Sequence, residues 1–389
     1  MGDTGTKFQK LQWSLPWLVR YPFWRGGEFL RRASNGHSPQ HLIFIVANHF
    51  EPAWAEKGIT LDLATQQRRL DEWIEKARRI GEAVRDCDGT PFRHTNFYPA
   101  EQYHPTLLDK LSALQRDGFG EIEVHLHHGV GKPDTAENLR NILIEFRDIL
   151  ANDHGCLSYE PDSSEPKYAF VHGNLALANS AGGRNCGVDS EMQILAETGC
   201  YADFTLPSAP EQSQVPRLNA IYECAGPLDE KIPHRSGPNV RVGSNPSRPV
   251  IFTGPLVFNW SRRLYGLPVP RIDSSVLAAN YPPTRERLER WRKASVGVAG
   301  RPEWIFIKLS CHGFIPADTE ITIGDPMRRF LEETLAEADK TDQFKVHFAS
   351  AREAFNMVLA AAEGKQGEPG EYRDYRLRTR NGSALRAQT

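Results

Sequence analysis

The stretch Glu121-Ile122-Glu123-Val124-His125-Leu126-His127 alternates polar and apolar residues with the period of two that is typical of a β-strand. The alternation places Ile122, Val124 and Leu126 on one face and directs the glutamates and histidines to the other. His128 follows directly, so three imidazoles fall within four residues. Because neutral imidazole is the commonest metal ligand near pH 7, this strand predicts a metal or acid-base site, with an exposed polar face as the alternative.

Strand and helix patterns alternate along the chain on both sides of this strand. Runs with the composition of β-strands fall at 42–47, 92–97, 168–171, 201–206, 250–253, 304–309 and 345–348. Helical patterns lie at 63–84, from Pro105, from a capping box at Asp134–Glu137, at 189–198, at 285–293 and from a second capping box at Ser350–Glu353. Seven or eight strand-then-helix units without an obvious linker predict the α/β class and, within it, a distorted (β/α)7-8 TIM-like barrel of parallel strands.

The predicted barrel domain covers residues 41–363, and segments of other composition lie around and within it. Residues 207–249 are rich in Pro, Ser, Gly and Asn and predict a long surface excursion, whereas residues 364–389 predict a flexible polar tail. Residues 1–40 form an arm with aromatic residues and arginines interleaved over 13–25. Packing of the arm onto the barrel is the preferred interpretation, and peripheral contact with a membrane is the alternative.

The composition excludes some classes of function. The net charge of −2 over 389 residues gives no basic surplus, so we expect no nucleic-acid partner. The six cysteines contain no Cys-x-x-Cys pair, which is typical of reduced thiols in a cytoplasmic protein. No secretory signal is recognisable near the start. The predicted location is therefore the cytoplasm, with a peripheral position at the inner membrane face as the alternative.

Polar and titratable residues collect at the carboxyl ends of the predicted strands, where barrel enzymes build their active sites. They are Asn48, His49, Glu51, Glu101, His104, His125, His127, His128, His172, Asn174, Asp203, Asn259 and His312. Aromatic residues near the same ends, Trp54, Tyr98 and Trp260, are candidates for a sugar-stacking wall, with core packing as the alternative. This concentration of side chains favours an enzyme over a scaffold.

The chain resembles the polysaccharide deacetylase family of the larger glycoside hydrolase/deacetylase superfamily over most of residues 40–362. The resemblance is carried, in order along the chain, by Val46-Ala-Asn48-His49-Phe-Glu51-Pro, Glu121-Ile-Glu-Val-His125, Cys200-Tyr-Ala-Asp203-Phe-Thr-Leu-Pro, Ile307-Lys-Leu309-Ser-Cys-His312 and Val346-His-Phe-Ala-Ser-Ala-Arg-Glu353. It implies a distorted barrel and a divalent metal, with zinc as the preferred ion. It also implies hydrolysis of an N-acetyl or similar acyl group from a carbohydrate substrate, which is either free or lipid-linked.

The resemblance also implies roles for individual residues. His125 matches the first metal histidine of the family, and His49 falls where the family places a metal aspartate. The family expects its second histidine at position 129, which is Gly here, so His127 or His128 must substitute. Strand alternation favours His127, whereas a turn beginning at that point favours His128.

The catalytic base is the main departure from the family pattern. Asn48 stands where the family has its catalytic aspartate, and an amide cannot take a proton from water. Glu51 is the preferred replacement and Glu101 the second, with partial burial expected to raise the pKa of either. His312 resembles the acid histidine of the family. The family's arginine on the fourth strand is missing, and the substrate-orienting residues predicted in its place are His172 and Asn174.

Two other functions remain open from the sequence. One is a glycoside hydrolase that uses a carboxylate pair such as Glu51 and Asp203. The other is a carbohydrate-binding barrel without turnover, which Asn48 supports. Asp203 is equally well explained as a structural residue that bonds backbone amides at the end of a strand. Among the remaining histidines, His234 is predicted to be exposed, and those predicted to be structural are His37, His41, His154 and His347.

Overall fold

A mostly parallel β-sheet forms the centre of the molecule. A computed structural model of the chain describes residues 5–33, 39–55 and 60–380, and gives the backbone alone for residues 28–33. The strands are β1 (Gln40–His49), β2 (His94–Pro99), β3 (Gly120–Leu126), β4 (Ser158–Tyr159), β5 (Tyr168–His172), β6 (Cys200–Asp203), β7 (Ile221–Tyr222), β8 (Val250–Phe252), β9 (Leu256–Asn259), β10 (Arg263–Leu264), β11 (Leu267–Pro268), β12 (Arg271–Ser274), β13 (Trp304–His312), β14 (Phe344–Phe348) and β15 (Arg378–Thr379).

Helices follow most of the sheet strands. They are α1 (Lys7–Leu18), α2 (Tyr21–Ala33), α3 (Leu63–Ala83), α4 (Pro105–Arg116), α5 (Ala136–Asp148), α6 (Glu191–Glu197), α7 (Arg285–Ala294), α8 (Pro316–Ile323), α9 (Asp325–Thr341) and α10 (Ala351–Ala362). A π-helical turn over Ile149–Asp153 extends α5. The predicted α/β class and the predicted order of the principal strands are therefore confirmed. The sequence patterns missed α8, α9 and the short strands β9 to β12.

The strand order of the main sheet is β13-β1-β2-β3-β5-β6-β8-β7, and β14 also pairs with β1. All of these ladders are parallel except that of β7 with β8. β13 follows β1 along almost its whole length, while β14 pairs with Gln40–Phe44 and β2 with Ala47–His49. Within the described residues no ladder joins β8 to β13, so the sheet is not closed by backbone hydrogen bonds.

Both faces of the sheet are buried, as expected for parallel strands. On one face, Val46, Val124 and Leu126 pack with apolar residues of α3, α4 and α5. On the other face, Ile43 and Ile45 pack with residues of α10, a helix that is buried on all sides. The second capping box begins α10 as predicted, because Ser350 and Glu353 each bond the other's backbone N–H.

The parallel register brings the candidate site residues to one edge of the sheet. His49 lies opposite His312 on β13 and opposite Phe97 on β2. His125 lies opposite Pro99, and Leu126 lies opposite His172. Since parallel strands end at the same edge, residues that are separated by more than 200 positions in sequence become neighbours there.

The segments predicted to be loose are more ordered than expected. In 207–249, the strand β7 pairs with β8, and Val215 and Tyr222 are buried. His234, predicted to be exposed, is fully buried. Residues 364–380, predicted as part of a flexible tail, are held on the domain, because β15 pairs with β4 and the guanidinium of Arg373 forms ion pairs with Asp86 and Asp88. The remainder of that predicted tail, residues 381–389, lies outside the described residues. The sequence patterns missed these segments because their contacts are with distant parts of the chain.

The N-terminal arm packs on the domain through Trp17, which is buried in a cluster with Leu218 and Leu256. The described part of the chain contains no helix that is both long and apolar enough to cross a bilayer. His37 lies outside the described residues. The capping box predicted at Asp134–Glu137 is wrong, because the N-cap of α5 is Thr135, whose side chain accepts from Asn138 N–H in a single capping hydrogen bond.

Candidate metal centre

Three side chains converge where β1 and β3 end, and we refer to them as the cavity cluster: Glu51, His125 and His127. The Glu51 Oε1 atom lies 3.5 Å from His125 Nε2 and 3.1 Å from His127 Nε2. Glu51 and His125 are buried, and His127 is partly exposed. Two imidazoles and a carboxylate thus meet around one point, as the pattern at 121–128 predicts.

The outer nitrogen of each imidazole is held by an acceptor. His125 Nδ1 lies 3.0 Å from the Val171 carbonyl oxygen, which can only accept, so Nδ1 carries the proton. His127 Nδ1 lies 2.6 Å from Glu101 Oε1, and the His127 backbone N–H donates to Glu101 Oε2. Nδ1 contacts of this kind direct both Nε2 atoms at Glu51, which is how proteins orient metal-binding histidines.

This donor set fits a catalytic zinc ion. Two histidines and a glutamate are a known set of three protein ligands that leaves a fourth position open. With metal–ligand bonds of about 2.1 Å, the ligands of a tetrahedral site lie roughly 3.4 Å apart. The two measured separations from Glu51 are close to that value. In addition, His125 Nε2 is buried and has no hydrogen-bond partner among the described residues, as expected of an atom that would bind an ion.

Two glycines shape the space around the histidines. A Cβ atom at Gly173 would collide with the ring of His127, so only glycine leaves room for that ring. At Gly129 the backbone φ is 65° and a Cβ atom would collide with the backbone of Cys186. A histidine at position 129, which the family pattern expects, therefore does not fit this fold.

His49 and His312 lie beside the cavity cluster. The ring centroids of His49 and His125 are 4.8 Å apart, and those of His49 and His312 are 4.5 Å apart. Burial and the neighbouring histidines lower the pKa of His49 well below its usual value, and burial lowers the pKa of His312. Both imidazoles are therefore neutral near pH 7. His49, predicted as a ligand, stands next to the converging atoms of Glu51 and His125.

A cavity of about 670 Å³ opens in front of these residues. Its walls include His49, Glu51, Trp54, Glu101, His127, Asn174, Arg184, Glu211, Gln212, Ser213 and His312. Its volume lies in the range that is usual for small-molecule sites. Trp54 provides an aromatic ring on this wall, and Asn174, predicted to orient substrate, is also present.

The expectation that burial raises the pKa of Glu51 is wrong. Burial does disfavour its charged form, but the close approach of His125 and His127 outweighs this effect and holds the pKa well below its usual value. For His127, burial is likewise outweighed by the hydrogen bonds with Glu101 and Glu51, which raise its pKa to about 9. Glu51 is therefore ionised, and it is poorly suited to take a proton from water.

A second group lies directly behind the first, and we refer to it as the buried cluster: His128, His172, Cys186 and Glu191. His128 Nε2 lies 3.2 Å from Glu191 Oε1, and His128 Nδ1 lies 3.0 Å from Asp134 Oδ2. Glu191 Oε2 accepts from Ala178 N–H at 2.6 Å and lies 3.4 Å from Cys186 Sγ. His128, predicted as a ligand of the first group, belongs to this one instead.

The tautomer of His172 distinguishes the two clusters. His172 Nδ1 accepts from the backbone N–H groups of Asn174 and Ala176, each at 3.3 Å. An Nδ1 atom that accepts leaves the proton of the neutral ring on Nε2, the atom that faces Glu191 at 3.9 Å. Both clusters could hold a metal ion, but only in the cavity cluster do the Nδ1 contacts leave two Nε2 atoms to bind an ion, once His127 has lost its extra proton.

Several predicted site residues are buried away from the cavity and form hydrogen bonds within the fold. Asn48 is buried, and its side-chain oxygen accepts from Gly313 N–H. Tyr98 is buried and donates to the Gln102 carbonyl. Asp203 accepts from the N–H and hydroxyl of Thr205, and burial raises its pKa to about 7. These residues do not line the cavity described above, and neither does the exposed Trp260.

A separate set of titratable residues surrounds His347. His347 Nδ1 lies 2.7 Å from Asp88 Oδ2, and His347 Nε2 lies 2.9 Å from His41 Nδ1. His347 pairs in register with Ile43, away from the strand ends that carry the cavity. Both of its nitrogens have partners, which agrees with the structural role predicted for it.

Sequence reasoning missed Cys186 and Glu191. Neither residue has a local pattern that signals chemistry, since Glu191 begins the short helix α6 and Cys186 lies in a loop. Each becomes part of a cluster only through contacts with β3 and β5. Compared with known proteins, the chain matches no family model and no curated sequence.

Proposed function

We propose that this cavity is the active site of a metal-dependent hydrolase that removes an N-acetyl or similar acyl group from a sugar. The observation that carries the proposal is the convergence of Glu51 Oε1, His125 Nε2 and His127 Nε2, with both Nδ1 atoms held by acceptors. Glu51 and His127 line the cavity, and His125 is buried behind them. The resemblance to polysaccharide deacetylases and the interpretation of the sheet as a distorted barrel belong to the same proposal.

The ligands would be Glu51, His125 and His127. When bound, a divalent cation, with zinc preferred by this donor set, supplies a Lewis acid that polarises an amide carbonyl and acidifies water. Glu101 holds His127 by the Nδ1 proton, and the Val171 carbonyl holds His125 in the same way. These contacts keep both rings in the tautomer that binds metal.

Proton transfer is assigned to His312. Its ring lines the cavity and is neutral near pH 7, so it can take a proton and then return it to the leaving amine. His49, whose buried Nδ1 has no hydrogen-bond partner among the described residues, lies beside it. This assignment replaces Glu51 as the base and agrees with the structural role of Asn48.

The cavity walls suit a carbohydrate. Trp54 offers a ring on which the apolar face of a sugar can stack, while Asn174 and Gln212 offer amides to its hydroxyls. The alternative of a carboxylate pair formed by Glu51 and Asp203 has less support, because Asp203 is fully buried and does not line the cavity.

The test is release of acetate. Protein loaded with zinc, manganese, cobalt or nickel is incubated with N-acetylated monosaccharides and oligosaccharides, and acetate is measured. We expect turnover that His312→Gln lowers by about 10²-fold or more without loss of metal, as general acid-base residues typically contribute. His104→Gln, at the N-cap of α4, is the matched control and should be fully active. Metal-loaded protein that binds sugars without turnover would overturn the proposal in favour of a binding protein.

A further inference from the structure

A projecting β-ribbon lies next to the N-terminal arm. The ribbon is formed by the antiparallel pairs β9 with β12 and β10 with β11, and it ends in the turn at Tyr265 and Gly266. Both turn residues have positive φ, 49° and 80°, as a two-residue type I′ turn requires. The turn therefore presents the side chains at its tip to solvent on a defined backbone.

The ribbon and the arm are joined by aromatic contacts at their bases. The ring of Phe258 stacks on Trp17 at 5.7 Å and meets Tyr21 edge-on at 4.7 Å. The Phe258 backbone N–H also donates to the Tyr21 hydroxyl. The helices α1 and α2 and the ribbon thus form one surface, which we call the basic apolar surface: residues 5–27 and 256–272.

This surface carries most of the exposed large apolar side chains of the described residues, nine of thirteen. On the ribbon, Tyr265 is 97% exposed and Leu267 is 71% exposed. On the arm, Phe23 is 80% exposed and Phe8 is 75% exposed. The other members are Leu11, Leu15, Val19, Trp260 and Leu264. An apolar patch of this extent marks an interaction site.

The exposed apolar side chains of α1 lie along one side of the helix. Phe8, Leu11 and Leu15 recur at helical spacing on one exposed stripe, whereas Ser14 and Trp17 on another face are buried against the domain. The helix therefore has two apolar faces, and only one of them is used by the fold.

The charge of the surface has a single sign. Residues 5–25 and 256–272 contain no Asp or Glu, although the whole chain has a net charge of −2. Their cations are Lys7, Lys10, Arg20, Arg25, Arg262, Arg263 and Arg271. None of these seven forms an ion pair with another described residue. Aromatic and aliphatic side chains mixed with unpaired cations are typical of surfaces that lie in the headgroup region of anionic membranes.

We propose that the basic apolar surface docks this protein on an anionic lipid bilayer. A second copy of the chain is poorly suited to cover this surface, because a symmetric contact would place the seven cations of one copy against the seven cations of the other. The proposal is independent of the chemistry assigned to the cavity. The two features are nonetheless close, since Ala209 packs against the Trp17 cluster and the following residues Glu211 and Gln212 line the cavity.

The test is cosedimentation of the full chain with vesicles of phosphatidylcholine alone or with about a third phosphatidylglycerol. We expect binding to the anionic vesicles only, weakening with added salt. Replacing Arg262 and Arg263 by glutamate should weaken binding by about fivefold or more per residue, from about 1 kcal/mol for each cation near such a surface. Lys132→Glu, on an exposed loop elsewhere, is the matched charge control.

The apolar contribution is tested separately with Tyr265→Ser and Leu267→Ser, which should also lower binding, and with Val242→Ser as the exposed control. All six substituted positions are solvent-exposed, so the variants are expected to keep the circular dichroism and metal content of the wild type. Absence of binding to anionic vesicles, or equal binding by the ribbon variants, would overturn the proposal. Self-association in sedimentation velocity that the same ribbon variants abolish would overturn it in favour of a second copy.

Discussion

The cavity cluster and the buried cluster are built from adjacent residues of one strand end, yet their chemistry differs. In each, one imidazole stands between two carboxylates: His127 between Glu101 and Glu51, and His128 between Asp134 and Glu191. The two clusters differ in the hydrogen bonds of their other imidazole, which is His125 in the cavity cluster and His172 in the buried cluster. His125 donates through Nδ1 and leaves Nε2 free, whereas His172 accepts through Nδ1 and keeps its Nε2 proton.

This comparison teaches that the hydrogen bond on the far side of a histidine determines whether the ring can bind a metal. The carbonyl oxygen that accepts from His125 Nδ1 leaves Nε2 of the neutral ring without a proton, so that this atom can bind a metal. The two backbone N–H groups that donate to His172 Nδ1 leave the proton on Nε2, which can only donate. The buried cluster is then a hydrogen-bond network centred on Glu191, in which His172 Nε2 is buried without a hydrogen-bond partner among the described residues. The four predictions below test this distinction.

The largest difference is expected in metal content. His125→Ala should abolish zinc binding because it removes one of two prepared ligands, whereas His172→Ala should leave one equivalent bound. The measurement is elemental analysis after chelation, reloading with zinc and removal of excess ion. Loss of zinc in His172→Ala but not in His125→Ala would show that the buried cluster holds the metal, and equal loss in both variants would show that both clusters are needed.

The second difference concerns stability. Glu191→Ala removes the carboxylate that pairs with His128 and accepts from Ala178 N–H, so the metal-free protein should lose about 3–5 kcal/mol of unfolding free energy. Glu51→Ala should cost about 1 kcal/mol or less, because His127 keeps Glu101 and faces the cavity. Urea denaturation of both variants measures this, and a larger loss for Glu51→Ala would contradict the distinction.

The third difference concerns the carboxylates that contact Nδ1 of His127 and Nδ1 of His128. Glu101→Gln should weaken zinc binding by about 10- to 100-fold, since a residue that orients a metal-bound histidine typically contributes this much. Asp134→Asn, the equivalent change behind His128, should leave the affinity unchanged. Competition with a chromophoric chelator gives both dissociation constants. Similar weakening by the two variants would count against a site confined to the cavity cluster.

The smallest difference is a pH dependence. In the metal-free protein the pKa of His127 is raised to about 9, so the ring is protonated at neutral pH and must lose that proton to bind metal. The zinc affinity should therefore rise with pH by up to about tenfold per unit and level off above about pH 9. His128→Gln should show the same profile. An affinity that is constant from pH 6.5 to 9 would mean that His127 is not a ligand.

The alternation at 121–127 was sufficient to predict both the strand and the face that carries the histidines, because a period of two is a local property of extended backbone. The strand at 42–47 could be predicted from another local property, a continuous apolar run that suits a strand buried on both faces. The strands β1 and β13 extend beyond the predicted ranges 42–47 and 304–309 to His49 and His312. By contrast, α8, α9 and the ribbon at 256–274 were missed. The ribbon is stabilised largely by aromatic contacts with the arm that no local pattern encodes.

Local patterns in the sequence were enough to show which residues could carry chemistry and that parallel strands would bring them to one edge. The contacts between distant segments were needed to show that Glu51 converges with His125 and His127, that His128 belongs with Glu191, and that a histidine does not fit at position 129. The physical reason is that periodicity fixes the face of a strand on which a side chain lies. The tautomer, the pKa and the partners of a buried imidazole are set by backbone groups and carboxylates that arrive from distant segments.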